Sequence, residues 1–163
     1  MIWKEADFPG MERFFRANLI NSVTGFKSLC LLGSISPEGK INLAVFTQVI
    51  HIGADPALIG VLFRPQVPGM HSLANIRSGK WFTLNHVRDG EELAAHWTSA
   101  RWEIPEFEAV ELAPEFLEGI PVPFVKGSRV RMALQAVQEI PIELNGTTLV
   151  LARIHALEVP GNA

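Results

Sequence analysis

Two short polar stretches that follow an apolar segment could together bind an anion. Arg64 follows the apolar residues 57–63, and His71 and Ser72 come seven and eight residues later, where a helix is expected to begin. The backbone N–H groups of a helix N-terminus and a nearby guanidinium both favour a phosphate. Alternatively, Arg64 is a solvent-exposed strand end and Ser72 only caps the helix. The local pattern leaves both interpretations open.

A second set of polar side chains lies in a predicted strand that is otherwise apolar on both faces. Buried amides and hydroxyls need hydrogen-bond partners. Asn42, Thr47 and Gln48 could satisfy turn or edge backbone groups, or they could contact a flat polar heterocycle seated on Val45 and Phe46. Alternation places Val45 and Thr47 on one face of the strand and Phe46 and Gln48 on the other. Ligand contacts there would therefore use backbone groups or a bend in the strand.

A third set of hydroxyls closes the second predicted helix. Thr98 and Ser99 could simply end this helix, or they could face a phosphate or the polyol chain of a ligand. Three aromatic residues lie nearby, and we expect them in the core or in dimer packing rather than stacked on a ligand. They are Trp97, Trp102 and Phe107.

The sequence lacks the common patterns of metal, hydrolase and nucleotide-fold sites. Its five histidines never pair at metal-ligand spacing, and its one cysteine cannot build a zinc cluster. It contains no GxSxG elbow, no Walker loop and no GxGxxG fingerprint. We therefore name no catalytic residue and expect no metal site.

Length and composition describe a single domain that covers residues 1–163. A chain of 163 residues with 48% hydrophobic residues can bury a real core without covalent cross-links. A net charge of −3 argues against a nucleic-acid partner. The single cysteine, Cys30, fits a reducing compartment and is expected to be buried. No apolar run reaches the roughly 18–20 residues of a membrane span, so we expect a soluble, cytoplasmic protein.

Short apolar runs separated by turn residues predict a mainly β fold, a barrel or a sandwich. The predicted strands are residues 28–36, 41–51, 57–63, 81–87, 128–142 and 147–159. The predicted helices cover residues 71–79 and a segment that runs from a capping box of Asp89 and Glu92 to about Thr98. Residues 101–125, rich in proline, are predicted to be a long irregular excursion, and Asn145-Gly146 predicts a hairpin.

Several motifs follow one another in a characteristic order between residues 12 and 159. They are GKINLA (39–44), DPAL (55–58), HSLANIRSGKWFTLNHV (71–87), TSA (98–100), EFE (106–108), FVK (124–126) and NGTTLVLARI (145–154). In this order they resemble the flavin reductase-like family, which has the FMN-binding split-barrel fold. The chain departs from the family pattern where Ala57 replaces the second proline of D-P-P-L and where Gly127 replaces a frequent Glu before Ser128.

The resemblance implies a homodimeric Greek-key split β-barrel of about six antiparallel strands with two or three short helices. It also implies an oxidoreductase that accepts hydride from NADH or NADPH on FMN bound at the subunit interface. Residues 42 and 45–48 would line the isoalloxazine ring and the ribityl chain. The implied site residues from Arg64 onward would hold the phosphate. The implied FMN-binding residues are Asn42, Val45, Phe46, Thr47, Gln48, Arg64, His71, Ser72, and more weakly Thr98 and Ser99.

Two alternatives share the same fold. The protein could be a non-catalytic FMN-binding electron-transfer protein that receives electrons from a protein donor. It could also be a split barrel that uses haem or another cofactor, with His51 or His155 as the ligand. A histidine alone on a strand is more often a surface or core residue.

Overall fold

The structure of the protein, a computed structural model, describes residues 2–161. Its helices are a 3₁₀ helix (Glu5–Gly10), α1 (Arg13–Ser22), α2 (Ser72–Gly79), α3 (Glu92–Trp97) and α4 (Glu106–Ala109). Its strands are β1 (Cys30–Ile35), β2 (Ile41–Phe46), β3 (Val49–Ala54), β4 (Ala57–Phe63), β5 (Trp81–His86), β6 (Pro114–Glu115), β7 (Phe124–Val125), β8 (Arg131–Ile142) and β9 (Thr147–Glu158). The mainly β class predicted from the sequence is confirmed.

Seven strands form one antiparallel sheet in the order β2-β1-β5-β8-β9-β4-β3. The two edge strands, β2 and β3, follow each other in the chain and are separated only by Thr47 and Gln48. The Leu62 N–H donates to the Gln48 carbonyl at 3.0 Å, so pairing with β4 begins directly after this connection. The connection therefore brings the two edges together and closes the sheet into a barrel. The prediction of a single strand over residues 41–51 is wrong at residues 47–48. Barrel closure bends the chain there, although apolar and polar residues continue to alternate in the sequence.

The barrel interior is filled by apolar side chains from the strands and from α2. Phe63 and Phe82 are among the largest fully buried side chains of this core. From α2, Leu73 and Ile76 pack into it because residues three apart share one helix face. Each such side chain contributes about 1.5–3 kcal/mol of burial free energy, so α2 is held firmly against the sheet.

A second apolar layer covers the outer face of β1 and β2. It joins Leu31 and Leu43 from these strands to Ala95 of α3 and Phe107 of α4. Since Cys30 and Leu32 point into the barrel, β1 is buried on both faces. This explains the continuous apolar run of β1, and it confirms that Cys30 and Phe107 are core residues.

The proline-rich excursion contains α4 and the two-stranded pair β6–β7, and it is anchored to the outer face of the sheet. The Thr83 hydroxyl donates to the Pro123 carbonyl at 2.6 Å, and the Val125 N–H donates to Asn85 Oδ1 at 3.0 Å. A Cβ on Gly33 would lie 2.3 Å from the Pro123 oxygen. The excursion can therefore cross β1 only because that position is glycine.

The predicted capping box at the start of α3 is not formed. Glu91 is the N-cap residue and its side chain makes no capping hydrogen bond. The Glu91 N–H donates to the Arg88 carbonyl at 3.0 Å, and Gly90 has a φ of +87°. This turn separates Asp89 from the helix, so Asp89 and Glu92 cannot cap each other across it.

Residues 2–28, here called the N-terminal arm, precede the first strand and contain a helix that the sequence did not predict. Helix α1 begins after Glu12, whose carboxylate accepts hydrogen bonds from the N–H groups of Phe14 (2.9 Å) and Phe15 (2.8 Å). These two backbone hydrogen bonds lower the pKa of Glu12. No residue of α1 is buried. Within residues 2–161, no helix has the length and apolar character needed to span a membrane.

Candidate functional site

A buried hydrogen-bond cluster joins β1, β2 and the start of α2. Asn42 Nδ2 donates to the hydroxyls of Ser72 (3.0 Å) and Ser34 (3.3 Å), and Asn75 Nδ2 donates to Ser34 at 3.1 Å. All four side chains are buried, and Asn42 is 7% exposed. The cluster fixes the N-terminus of α2 against the sheet. Asn42 and Ser72 were predicted site residues, whereas Ser34 and Asn75 were not recognised, because their relation to Asn42 exists only in the folded chain.

The N-terminus of α2 presents backbone donors beside this cluster. His71 is exposed and is the N-cap residue, and the first helical hydrogen bond runs from the Asn75 N–H to the His71 carbonyl at 2.9 Å. The N–H groups of residues 72–74 therefore have no partner within the helix, and they form the positive end of its dipole. The prediction that Ser72 caps the helix is wrong, since Ser72 is the first helical residue and its hydroxyl accepts from Asn42.

An aromatic contact brings the end of β2 to the end of β4. The ring centroids of Phe46 and Phe63 lie 4.9 Å apart, and Arg64 follows Phe63 directly in the chain. Arg64 is exposed, and within residues 2–161 its guanidinium forms no ion pair with an acidic side chain. Its carbonyl accepts a hydrogen bond from Gln66 Nε2 at 2.7 Å. The guanidinium is thus available to an anionic ligand at the barrel end where β2 stops.

The connection between β2 and β3 leaves two backbone donors without a protein acceptor. Thr47 and Gln48 are partly buried, and within the described part of the chain neither backbone N–H donates to a protein oxygen. Their side chains also make no hydrogen bond to any described residue. Such groups, held in place by strand pairing on both sides, can receive acceptor atoms of a bound molecule.

Three of the remaining predicted residues, Val45, Thr98 and Ser99, lie on the outer side of β2. Val45 packs against the apolar layer that includes α3 and α4, whereas Phe46 packs into the barrel. At the end of α3, the Thr98 hydroxyl donates to the Ala95 carbonyl at 2.8 Å and the Ser99 hydroxyl donates to the His96 carbonyl at 2.7 Å. The structure therefore joins Asn42 to Ser72 and Phe46 to Phe63, the residue before Arg64, and it places Val45, Thr98 and Ser99 on the other side of β2.

The described residues hold no arrangement that indicates metal or acid–base chemistry. Across residues 2–161 there is no group of three or more His, Cys, Asp or Glu residues that could bind a metal ion. The pKa of the Cys30 thiol is raised by burial, so the thiol stays protonated. His51 is exposed on β3. The His155 ring lies 4.6 Å from the Trp81 ring at an interplanar angle of 55°, and its Nε2 is 3.0 Å from Gln135 Oε1.

A buried arginine on β8 has a structural role outside this region. Arg131 pairs with Glu115 of β6 and with Glu158 of β9 (2.8 Å), and its guanidinium lies 5.1 Å from the Phe124 ring centroid. Burial acts to lower the pKa of Arg131, but the hydrogen bonds to the two carboxylates outweigh it and raise the pKa above its ordinary value. Arg131 therefore stays charged and holds the excursion onto the sheet.

Comparison with known proteins identifies the family of this chain. A family model described as "Flavin reductase like domain" matches residues 27–163. A candidate flavin reductase with a split barrel domain from Shewanella frigidimarina NCIMB 400 is 38% identical over 100% of this chain and 82% of its own, with a TM-score of 0.93. Nitrilotriacetate monooxygenase component B from Bacillus cereus is 21% identical over 98% of this chain and 81% of its own, with a TM-score of 0.84.

A search of curated protein sequences gives no significant match. The matched family region nevertheless covers all nine strands and the helices α2, α3 and α4. The chain therefore belongs to the flavin reductase-like family, which confirms the split-barrel fold and the flavin-related oxidoreductase class that its motifs predicted.

Proposed function

We propose that the protein is an FMN-dependent oxidoreductase that accepts hydride from NADH or NADPH, with the flavin bound at the interface of a homodimer. The observation that supports this most directly is the meeting of two kinds of donor at one end of the barrel. The N–H groups of Thr47 and Gln48 have no protein acceptor, and Arg64 has no acidic partner within the described residues. FMN carries a polar ring at one end and a phosphate at the other, and it matches both.

The phosphate would bind between Arg64 and the N-terminus of α2. The guanidinium supplies charge-assisted hydrogen bonds, and the unpartnered N–H groups of the first helical turn supply further donors. His71 is exposed at the same helix end and offers its ring. Ser72 would act mainly by holding the helix in place through Asn42, since its hydroxyl already accepts from that side chain.

The ribityl chain would pass Asn42. The Asn42 amide nitrogen is used by two serine hydroxyls, but its Oδ1 accepts no hydrogen bond within residues 2–161. Among the described residues, every fully buried polar side-chain atom has a hydrogen-bond partner. Because Asn42 Oδ1 has no partner, it is not fully buried and a ligand can reach it. It is the atom of Asn42 that would accept a hydrogen bond from a ribityl hydroxyl.

The ring would lie against residues 45–48. When bound, FMN supplies the atom that accepts the hydride, and the protein supplies binding, orientation and electrostatic stabilisation. The N–H groups of Thr47 and Gln48 would stabilise negative charge on the reduced ring, because they are fixed before the reaction begins. Hydride transfer needs no protein acid or base, so the proposal assigns no catalytic residue.

Thr98, Ser99 and Val45 belong to the opposite face of β2. In the proposed homodimer they would contact the flavin of the second subunit, and the excursion over residues 101–125 would cover the flavin or embrace that subunit. This arrangement would give both faces of β2 a role in ligand binding.

Anaerobic mixing of the purified, flavin-loaded protein with NADH and with NADPH tests the proposal. We expect at least one of them to bleach the visible absorption of the bound flavin. Dithionite serves as the control that the flavin can be reduced. Bleaching by dithionite but by neither nucleotide would refute the reductase proposal and favour an electron-transfer protein. A haem spectrum instead of a flavin spectrum would refute the cofactor.

A further inference from the structure

The N-terminal arm leaves much of its apolar surface exposed in the described chain. Helix α1 contains ten residues and none is buried. Val23 is 67% exposed and Phe26 is fully exposed, in a segment that leads into the buried strand β1. Isolated helices shorter than about 12–15 residues are marginal in water. A helix this short, with this much apolar surface, needs another surface to cover it.

The arm is a preformed unit with one apolar stripe. Arg16 Nη1 donates to the Phe8 carbonyl at 3.0 Å, and the Trp3 and Phe15 rings meet at 6.3 Å, so the 3₁₀ helix folds back on α1. Phe15, Leu19 and Val23 follow at intervals of four residues and therefore share one face of the helix. On this face Phe15 and Val23 remain 50% and 67% exposed.

A matching apolar groove lies between α3 and α4 on the body of the protein. Its volume is about 480 Å³, and the side chains that dominate it are Leu93, Trp97, Trp102 and Val110. The two tryptophan rings contact each other at 6.3 Å and remain 49% and 42% exposed. Two half-exposed tryptophans side by side mark a surface that binds another protein segment.

The charges of the two surfaces are complementary. Helix α1 contains two basic residues, Arg13 and Arg16, and no acidic residue. The groove is bordered by the acidic helix α4, which contains Glu106 and Glu108, and Glu111 lines it directly. Arginines on the arm would therefore approach carboxylates at the rim of the groove, where such pairs orient two surfaces more than they tighten binding.

We propose that the N-terminal arm of each subunit docks into the α3–α4 groove of the second copy, so that the two arms are exchanged. The inference rests on the proposed homodimer and adds its contact surface. One docked arm would cover roughly 600 Å² of the exposed area of Phe15, Val23, Phe26 and the two groove tryptophans, at about 150–250 Å² per aromatic side chain. The symmetric exchange doubles this to about 1,200 Å², which reaches the size of a specific interface.

Cross-linking in the full-length protein tests the exchange. A double variant, Ser22→Cys on α1 with Ala109→Cys in the groove, keeps the aromatic side chains of both surfaces and is treated with a short bis-maleimide, while the native Cys30 is 1% exposed and does not react. We expect a covalent dimer from the double variant and from a mixture of the two single variants. Each single variant alone serves as the control and should stay at monomer mass.

Each other outcome would overturn the inference in a distinguishable way. An intrachain cross-link at monomer mass, located by peptide mapping, would mean that the arm docks on its own groove. A dimer in sedimentation without the arm–groove cross-link would overturn the exchange and leave the homodimer intact. A monomer in sedimentation would overturn both.

A second measurement does not depend on cysteine chemistry. Phe15→Ser should weaken the dimer at least tenfold in dissociation constant, because an exposed side chain of the monomer is buried at the interface. Asn21→Ser, on the side of α1 opposite the stripe of Phe15, Leu19 and Val23, is the matched control and should leave the constant unchanged. Equal effects of the two substitutions would contradict the proposed contact.

Discussion

Replacement of Arg64 by alanine separates recognition of the phosphate from recognition of the rest of the flavin. Arg64 is exposed and has no ion pair within the described residues, and the hydrogen bond to its carbonyl does not use its side chain. The free energy of unfolding should therefore change by no more than about 0.5 kcal/mol. A hydrogen bond to a charged group contributes about 1.5–3 kcal/mol. The dissociation constant of FMN should rise about 10- to 150-fold.

The assay compares FMN with riboflavin, which lacks the phosphate. Apoprotein is titrated with each ligand, and binding is followed by the change in flavin fluorescence. In Arg64→Ala the affinity for FMN should fall while the affinity for riboflavin stays the same. Arg153→Ala is the matched control, because Arg153 is an exposed arginine on β9 opposite Leu58, at the other end of β4. An equal loss for both ligands, or no loss for FMN, would refute the phosphate assignment.

Three further predictions concern the barrel connection, the crossing and the start of α3. Thr47→Val with Gln48→Leu should weaken FMN retention about tenfold in equilibrium dialysis. The urea midpoint should stay unchanged, since the two side chains have no described protein partner. A lower midpoint with normal retention would contradict this. Gly33→Ala should destabilise the protein by about 3 kcal/mol or more, because its Cβ would lie 2.3 Å from the Pro123 carbonyl oxygen. Limited proteolysis should then cut the excursion first, and an unchanged melting temperature would be inconsistent with this contact. The hydrogen bond from Arg88 lowers the pKa of Glu91. This hydrogen bond therefore stabilises the folded protein above pH 4.5, the ordinary pKa of the carboxyl group, and the stabilisation is lost as the pH falls through the lowered pKa. Glu91→Gln should therefore melt lower than the native protein at pH 7, this difference should shrink as the pH falls below 4.5, and a constant difference would refute the assignment.

The parts of the fold that the sequence predicted well are those determined by neighbouring residues. Strand β4 occupies residues 57–63 as predicted, because turn residues bound its apolar run on both sides. Helix α2 agrees within one residue, since Leu73 and Ile76 already show the helical spacing. The turn at Pro37–Lys40 also forms, with Gly39 at a φ of +81°.

The parts that were not predicted depend on residues far apart in the chain. The break at residues 47–48 is caused by barrel closure, which local alternation does not record. The hydrogen bond between Asn42 and Ser72 joins residues 30 positions apart, so the sequence showed two polar side chains but not their contact. Helix α1 was missed because its N-cap is Glu12, which is not among the residue types that usually cap helices.

The two-residue connection between the edge strands also limits how the chain can change in length. An inserted residue there would shift β2 or β3 by one position and turn each of its side chains to the other face of the sheet. By contrast, the turn at residues 143–146 between β8 and β9 is exposed, so it can grow without disturbing either strand. We therefore expect length variation among functional homologues to be excluded from the connection between β2 and β3 and to be accommodated at the β8–β9 turn.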